Sequence, residues 1–244
     1  MNDLLTTMIN AYGGLERWNQ LESVSARLVQ GGALWAVKGQ GGVLDDVYVS
    51  ASLHQERESH YPFGAVNRRS VFTPELVEIR TSENRILEAL TRPRESFVGH
   101  TFETPWTTLQ LAYFVGYAMW NYLTQPFSFS LPGFDLAELS SWDGPQEWRR
   151  LHITWPRYLA THSKEQTVYV DKNGFIRRHD YDVEILGGNG GAHFLSNYVG
   201  VDGIMVPTSH RIYPRDPDNH VDEGSLLISI DVSEVAFSPA ENRC

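Results

Sequence analysis

The 244-residue chain has a single cysteine, and it is the last residue, Cys244. No disulfide can form within the chain and no thiol sits in a catalytic motif; the terminal thiol can at most join two chains. Basic residues are also scarce, 20 against 30 acidic ones, for a formal charge of −10 at pH 7. A phosphate-binding face needs clustered Lys and Arg, so no nucleic-acid partner is expected. The pairs Arg68-Arg69, Arg149-Arg150 and Arg177-Arg178 read as solvated strand positions. No Walker loop, G-x-S-x-G elbow, H-E-x-x-H helix or Cys/His cluster occurs, and "GGNGGA" at Gly187 to Ala192 lacks a following helix. Neither a nucleotide cofactor nor a metal is expected, although histidines from separate strands can still converge. The start, MNDLLTTMINAYGG, has an acidic residue where a secretory signal carries Lys or Arg, and its apolar stretch is broken by Thr and Asn. It reads as the start of a mature, cytoplasmic protein.

Charge is missing altogether from Thr104 to Phe134. Thr104 suits an N-cap and Pro105 the first helical position, while Pro126 cannot continue a helix. The spacing therefore predicts a helix over residues 104–126, with about 20 residues spanning about 30 Å. Thr107, Thr108, Gln110, Asn121 and Thr124 interrupt it and no Lys or Arg flanks it closely, so stable membrane insertion is not expected. A helix apolar on nearly every side is surrounded by protein or by ligand. Trp106, Leu109, Tyr113, Tyr117 and Trp120 form one stripe. Either the helix is the rod on which a sheet curls, or the stripe lines a cavity between helix and sheet; both can hold at once.

What is present is the pattern of an ordinary folded protein, 41% hydrophobic and 20% charged. Leu4, Leu5, Met8 and Tyr12 recur at helical spacing until Gly13-Gly14 stops them. Alternation follows: Val24, Ala26 and Leu28 share one face, as do Val47, Val49, Ala51 and Leu53. About ten such strands can be counted. One domain over 1–244 is expected: N-terminal helices (1–21), a strand meander (22–100), the central helix (104–126) and a second meander (148–237). The fold class is mainly β with some α, a single curved antiparallel sheet around the helix.

Three stretches, "AYGGLERWNQLESVSARL" from Ala11, "QTVYVDKNGFIRRHDY" from Gln166 and "NYVGVDGIMVPTSHRIY" from Asn197, carry a resemblance. Their order and turn placement resemble those of the LolA-like superfamily, the outer-membrane lipoprotein carriers and their relatives. The resemblance implies an open antiparallel half-barrel around an apolar cavity plugged by helices. Without a signal-like start, and with a longer, more aromatic central window, the chain looks closer to a cytoplasmic branch than to the carriers. The resemblance brings no catalytic residue with it.

Candidate chemistry comes from alternation. Phe175, Arg177, His179, Tyr181, Val183 and Ile185 share one strand face, while Ile176, Arg178, Asp180, Asp182 and Glu184 share the other, which reads as solvent-facing. His179 and Tyr181 then sit in an apolar wall, where an imidazole beside a phenol can transfer a proton. Arg177 can hold an anionic group at the rim. Gln166 is the best inward member of its strand, with His162 and Lys164 outside it. His193 and His210 are further candidates, the inward face of 192–199 being open. His100 and Glu103, just before the helix, form a second acid–base candidate. Two functions follow: a cofactor-free enzyme (isomerase, cyclase or lyase) on a hydrophobic small molecule, with His179, Tyr181, His100 and Glu103 as catalytic candidates, or a non-catalytic carrier of a lipid-like ligand. In either, Trp106, Leu109, Tyr113, Tyr117, Trp120, Gln166, Arg177, His193 and His210 would contact the ligand.

Overall fold

The computed structural model describes residues 2–140, 144 and 146–240; Cys244 lies outside them. Two helices, α1 (Asp3–Ala11) and α2 (Leu15–Trp18), precede strand β1 (Leu21–Gly31). After α3 (Leu34–Val37) come β2 (Asp46–Ser52), β3 (Glu58–Tyr61), β4 (Arg68–Thr73), β5 (Leu76–Thr81) and β6 (Ile86–Thr91). A 3-10 turn, Pro93–Phe97, leads into helix α4 (Thr108–Thr124). Seven strands follow: β7 (Asp135–Leu139), β8 (Arg149–Thr154), β9 (Glu165–Val170), β10 (Ile176–Val183), β11 (Asn189–Val201), β12 (Ile204–Arg215) and β13 (Ile228–Pro239).

All strands join one antiparallel sheet of 13, in the order β6-β5-β4-β3-β2-β1-β13-β12-β11-β10-β9-β8-β7. The first and last strands meet in the middle and the edges, β6 and β7, remain unclosed, so the sheet is an open curved half-barrel with few helices. The chain crosses from one edge to the other through α4, which places the helix inside the curve. Alternation built the strands as expected: Val24, Ala26, Leu28, Val47, Val49, Ala51 and Leu53 are all buried.

Helix α4 is buried on every side, without a break from Gln110 to Thr124. It approaches β4 tightly at Gly116, where an added Cβ would lie 2.4 Å from Phe72 Cγ. A side chain there would displace the Phe72 ring, whose burial is worth about 1.5–3 kcal/mol. The helix begins later than the sequence suggested. Trp106 N–H is taken by Lys38 O (2.9 Å) and Trp106 O accepts from Gln40 Nε2 (2.6 Å), so the chain is still extended there. Thr107 is the cap instead, and it exchanges bonds with Gln110 in a capping box.

The N-terminal helices close one end. Tyr12 and Tyr198 meet at their hydroxyls (2.8 Å), and Trp18 stacks on Phe127 with ring centroids 4.1 Å apart.

Candidate functional site

The interior beside α4 holds a cluster of neutral histidines and phenols drawn from five segments. Tyr117 and Tyr122 project from α4, His162 from the loop between β8 and β9, His179 and Tyr181 from β10, His193 from β11 and His210 from β12. The hydroxyl of Tyr117 lies 3.2 Å from His162 Nδ1, and that of Tyr122 lies 2.9 Å from His162 Nε2 and 2.7 Å from the Tyr181 hydroxyl. The His162 ring also stacks on Tyr181, with centroids 3.9 Å apart. A second pair forms where His193 Nε2 meets His210 Nδ1 at 2.8 Å. His179 presents its edge to Tyr181, centroids 5.1 Å apart, and neither of its ring nitrogens has a hydrogen-bond partner among the described residues.

Burial decides the protonation of the cluster. Desolvation lowers His179 to about 3 and His210 to about 4, and it holds His162 and His193 well below the usual imidazole range. The same cause raises the phenols of Tyr117, Tyr122 and Tyr181. At neutral pH every imidazole here is neutral and every phenol keeps its proton. Such groups relay hydrogen bonds well, but an imidazole at about 3 is a weak base at pH 7.

The faces of β10 and β11 are partly as expected. His179, Tyr181 and Val183 point inward and are buried, and on β11 it is His193 and Leu195 that face the core. A register shift between Ile176 and Arg178 breaks the alternation at the start of β10. Ile176 is consequently buried, and Arg177 pairs with Asp171 Oδ2 at 2.7 Å rather than standing at a ligand rim. The outer face is solvated only in part: Asp182 and Glu184 are exposed, as expected, whereas Arg178 and Asp180 are buried as an ion pair of 2.6 Å.

The remaining candidates are spread out. Gln166 donates to Thr161 Oγ1 (2.6 Å) and Ser163 O (2.7 Å), and Trp120 Nε1 donates to Ser52 O (2.8 Å), so both are committed to protein. Trp106 packs on Phe97 and Phe114 under Lys38, and Leu109 is half-buried. Glu103 is exposed and accepts from Thr101 Oγ1 (2.9 Å); no hydrogen bond joins it to His100 among the described residues. The His100 ring instead lies against Phe97.

The aromatic stripe therefore packs against the sheet rather than framing a wide cavity. The internal space next to His162 and Tyr181, walled by Phe102, Phe114, Leu34 and Ile212, measures about 30 Å³. That is room for about two waters. A groove of about 440 Å³ opens instead where Tyr113 of α4 meets three loops: Pro74–Glu75, the segment from Arg92 to Glu95, and the loop from Trp155 to Thr161. A depression of about 450 Å³ on the outer sheet surface, lined by serines with Tyr48 and Tyr61, has no contact with the central helix.

The wall of the groove is pinned from behind. Arg94 donates to Thr161 O (2.8 Å) and pairs with Glu184; Asn121 Nδ2 donates to Thr161 Oγ1 (3.2 Å); Ala160 N donates to Glu56 Oε2 (2.8 Å). Burial pushes the Glu56 carboxyl well up, and its Oε1 has no partner among the described residues. Arg94, Glu56 and the position of His162 were not legible as a site: they are separated along the chain, and all three lie outside the strands. Glu58 and His60, a buried contact of 2.7 Å on β3, alternate with Ser59 and Tyr61, and that pattern could have revealed them.

No protein-family model and no curated protein matches the sequence. Solved structures do match in three dimensions. A DUF1329 family protein from Desulfovibrio piger ATCC 29098 superposes with a TM-score of 0.56 at 11% identity, covering 96% of this chain and 91% of that one. A LolA superfamily protein from Nitrosomonas europaea superposes with a TM-score of 0.54 at 9% identity, covering 98% and 94%. The fold is LolA-like. At such identities the likeness is one of fold alone.

Proposed function

We propose that this protein binds a hydrophobic, lipid-like small molecule in the groove beside Tyr113 and acts as a carrier or binding protein. The observation that carries the reading is the contrast of volumes: about 440 Å³ in the groove against about 30 Å³ beside His162 and Tyr181. Small-molecule sites occupy about 300–1,000 Å³ and combine apolar walls with a few fixed polar groups. Tyr113, Trp155, Leu159 and Ala160 supply the first, and Arg94 with Thr161 the second. Likeness in fold to a LolA superfamily protein adds support of a general kind. Native mass spectrometry of the purified chain tests it. One lipid-like molecule per chain is expected, and Leu159→Glu should abolish its retention. A chain that emerges empty and takes up nothing from a total lipid extract would reject the reading.

A second reading, an isomerase, cyclase or lyase with His179 and Tyr181 in its active site, is favoured by one observation, the two unpartnered nitrogens of His179. Buried polar groups without partners cost stability and call for a reason. This reading requires the interior to open, and it stands or falls on turnover: equal rates for wild type, His179→Ala and Tyr181→Phe would dismiss those roles.

A further inference from the structure

The groove is charged as well as apolar. Arg92, Arg94, Arg157 and Lys164 line it, against Glu75, Glu95 and Glu184. Four cations less three carboxylates leave a local excess of one positive charge, in a chain whose formal charge is −10. Two of the carboxylates are already engaged, Glu184 by Arg94 and Glu95 by Arg92 at 3.1 Å. Lys164 reaches Glu165 at 3.3 Å, and Arg157 has no partner among the described residues; Glu75 is the one groove carboxylate in the same condition.

Below this rim the groups that converge are donors. The phenol of Tyr113 lies beside the Arg94 guanidinium, and burial raises it, so it keeps its proton. Glu56 lies behind Ala160 and close enough to Arg94, Tyr113 and Tyr158 to feel or shift their charges. Burial pushes its carboxyl well up, with Oε2 accepting from Ala160 N and Oε1 without a partner among the described residues. Arg94 spends two of its N–H groups on Thr161 O and Glu184, and a guanidinium has five. At the groove itself a guanidinium and a phenol, Arg94 and Tyr113, offer protons, with the Glu75 carboxylate the one acceptor close enough to act on Tyr113. They suit a group rich in acceptor oxygens and repel a cation.

We propose that the groove receives an amphiphile with an anionic head group, a carboxylate or a phosphate ester, held by Arg94, Tyr113 and Arg157, with its apolar chain along Trp155 and Leu159. This rests on the binding reading above and names the chemistry of its ligand. The head lies toward Arg157, where charge is half in water and exchange with solvent is easy. The chain lies against the loop that Glu56 and Asn121 hold in place, which excludes water from it.

The test is a titration of the delipidated, full-length protein, followed by tryptophan fluorescence, with dodecanoate, dodecyl phosphate, dodecanol and dodecyltrimethylammonium below their micelle concentrations. One or both anions should bind about tenfold more tightly than dodecanol, the gain of about 1.4 kcal/mol that one charge-assisted contact supplies. The ammonium should bind most weakly. Whichever anion binds better identifies the head group as carboxylate or phosphate, and both outcomes support the proposal. Arg157 is exposed, so Arg157→Ala is expected to fold; it and Tyr113→Phe should each weaken the anions severalfold and by more than they weaken dodecanol. Dodecanol binding as tightly as both anions would overturn the head-group inference while leaving the groove as a lipid site. Failure of all four probes to bind would overturn both.

Discussion

The hydroxyls of Tyr122 and Tyr181 meet at 2.7 Å, and through that contact the central helix α4 is tied to strand β10 across the interior. Tyr122 also bonds His162 Nε2 at 2.9 Å, so it is the node of the network and Tyr181 a branch. The two phenols should differ in cost. Tyr181→Phe removes one buried hydrogen bond and should lower stability by about 0.5–1.5 kcal/mol. Tyr122→Phe removes two and leaves His162 Nε2 unsatisfied, adding about 1–3 kcal/mol. Urea denaturation of the two variants checks the order, and equal losses would show that the network is not centred on Tyr122.

Acid should unfold the protein early. The ordinary imidazole value of about 6.5 applies in the unfolded chain, whereas His210 sits at about 4 and His179 at about 3 in the fold. Above pH 6.5 both states are neutral at these positions and stability does not depend on them. Below it the unfolded chain takes up protons that the fold refuses, so stability falls with pH until the folded values are reached. Each such histidine contributes a slope of about 1.4 kcal/mol per pH unit in that window. Glu56 has the opposite sign: its folded value is raised, so its cost grows as pH rises above the ordinary carboxyl value. Stability measured from pH 7 to 5 should drop steeply in wild type and less so in His210→Gln. Glu56→Gln should gain most, relative to wild type, at the alkaline end. A flat profile between pH 7 and 5 would contradict the neutral-histidine core.

Packing at Gly116 should outweigh helix propensity. In an exposed helix Gly→Ala stabilises by up to about 1 kcal/mol. Here the new methyl would stand 2.4 Å from Phe72 Cγ, inside contact distance of a buried ring. Forcing such a group into a filled core costs about 1–3 kcal/mol. Gly116→Ala is expected to lower the thermal midpoint, with partial recovery in Gly116→Ala combined with Phe72→Leu; a raised midpoint for the single variant would show that α4 and β4 can move apart.

Much of the fold was written in local pattern. Strand alternation named the buried faces of β1 and β2, the charge-free window named the central helix, and the alternation of His179, Tyr181 and Val183 put the right side of β10 inside. These succeed because a strand's faces and a helix's apolar surface depend only on residues near in sequence. The one-residue shift at Ile176 and Arg178 escaped, since an irregular register comes from pairing with Val170 and Tyr169 on β9. The cap at Thr107 escaped because Lys38 and Gln40, far earlier in the chain, claim the backbone of Trp106.

The sequence by itself determined that an uncharged aromatic helix would be enclosed by an antiparallel sheet. Only the tertiary structure decided that side chains fill the space between them and that a ligand-sized opening beside the helix lies at the edge, among Tyr113, Arg94 and the Trp155–Thr161 loop. The reason is that burial of a residue is set by its own polarity and period, whereas the volume left over is a difference between many side-chain volumes. Those volumes meet only when segments distant in the chain are brought together.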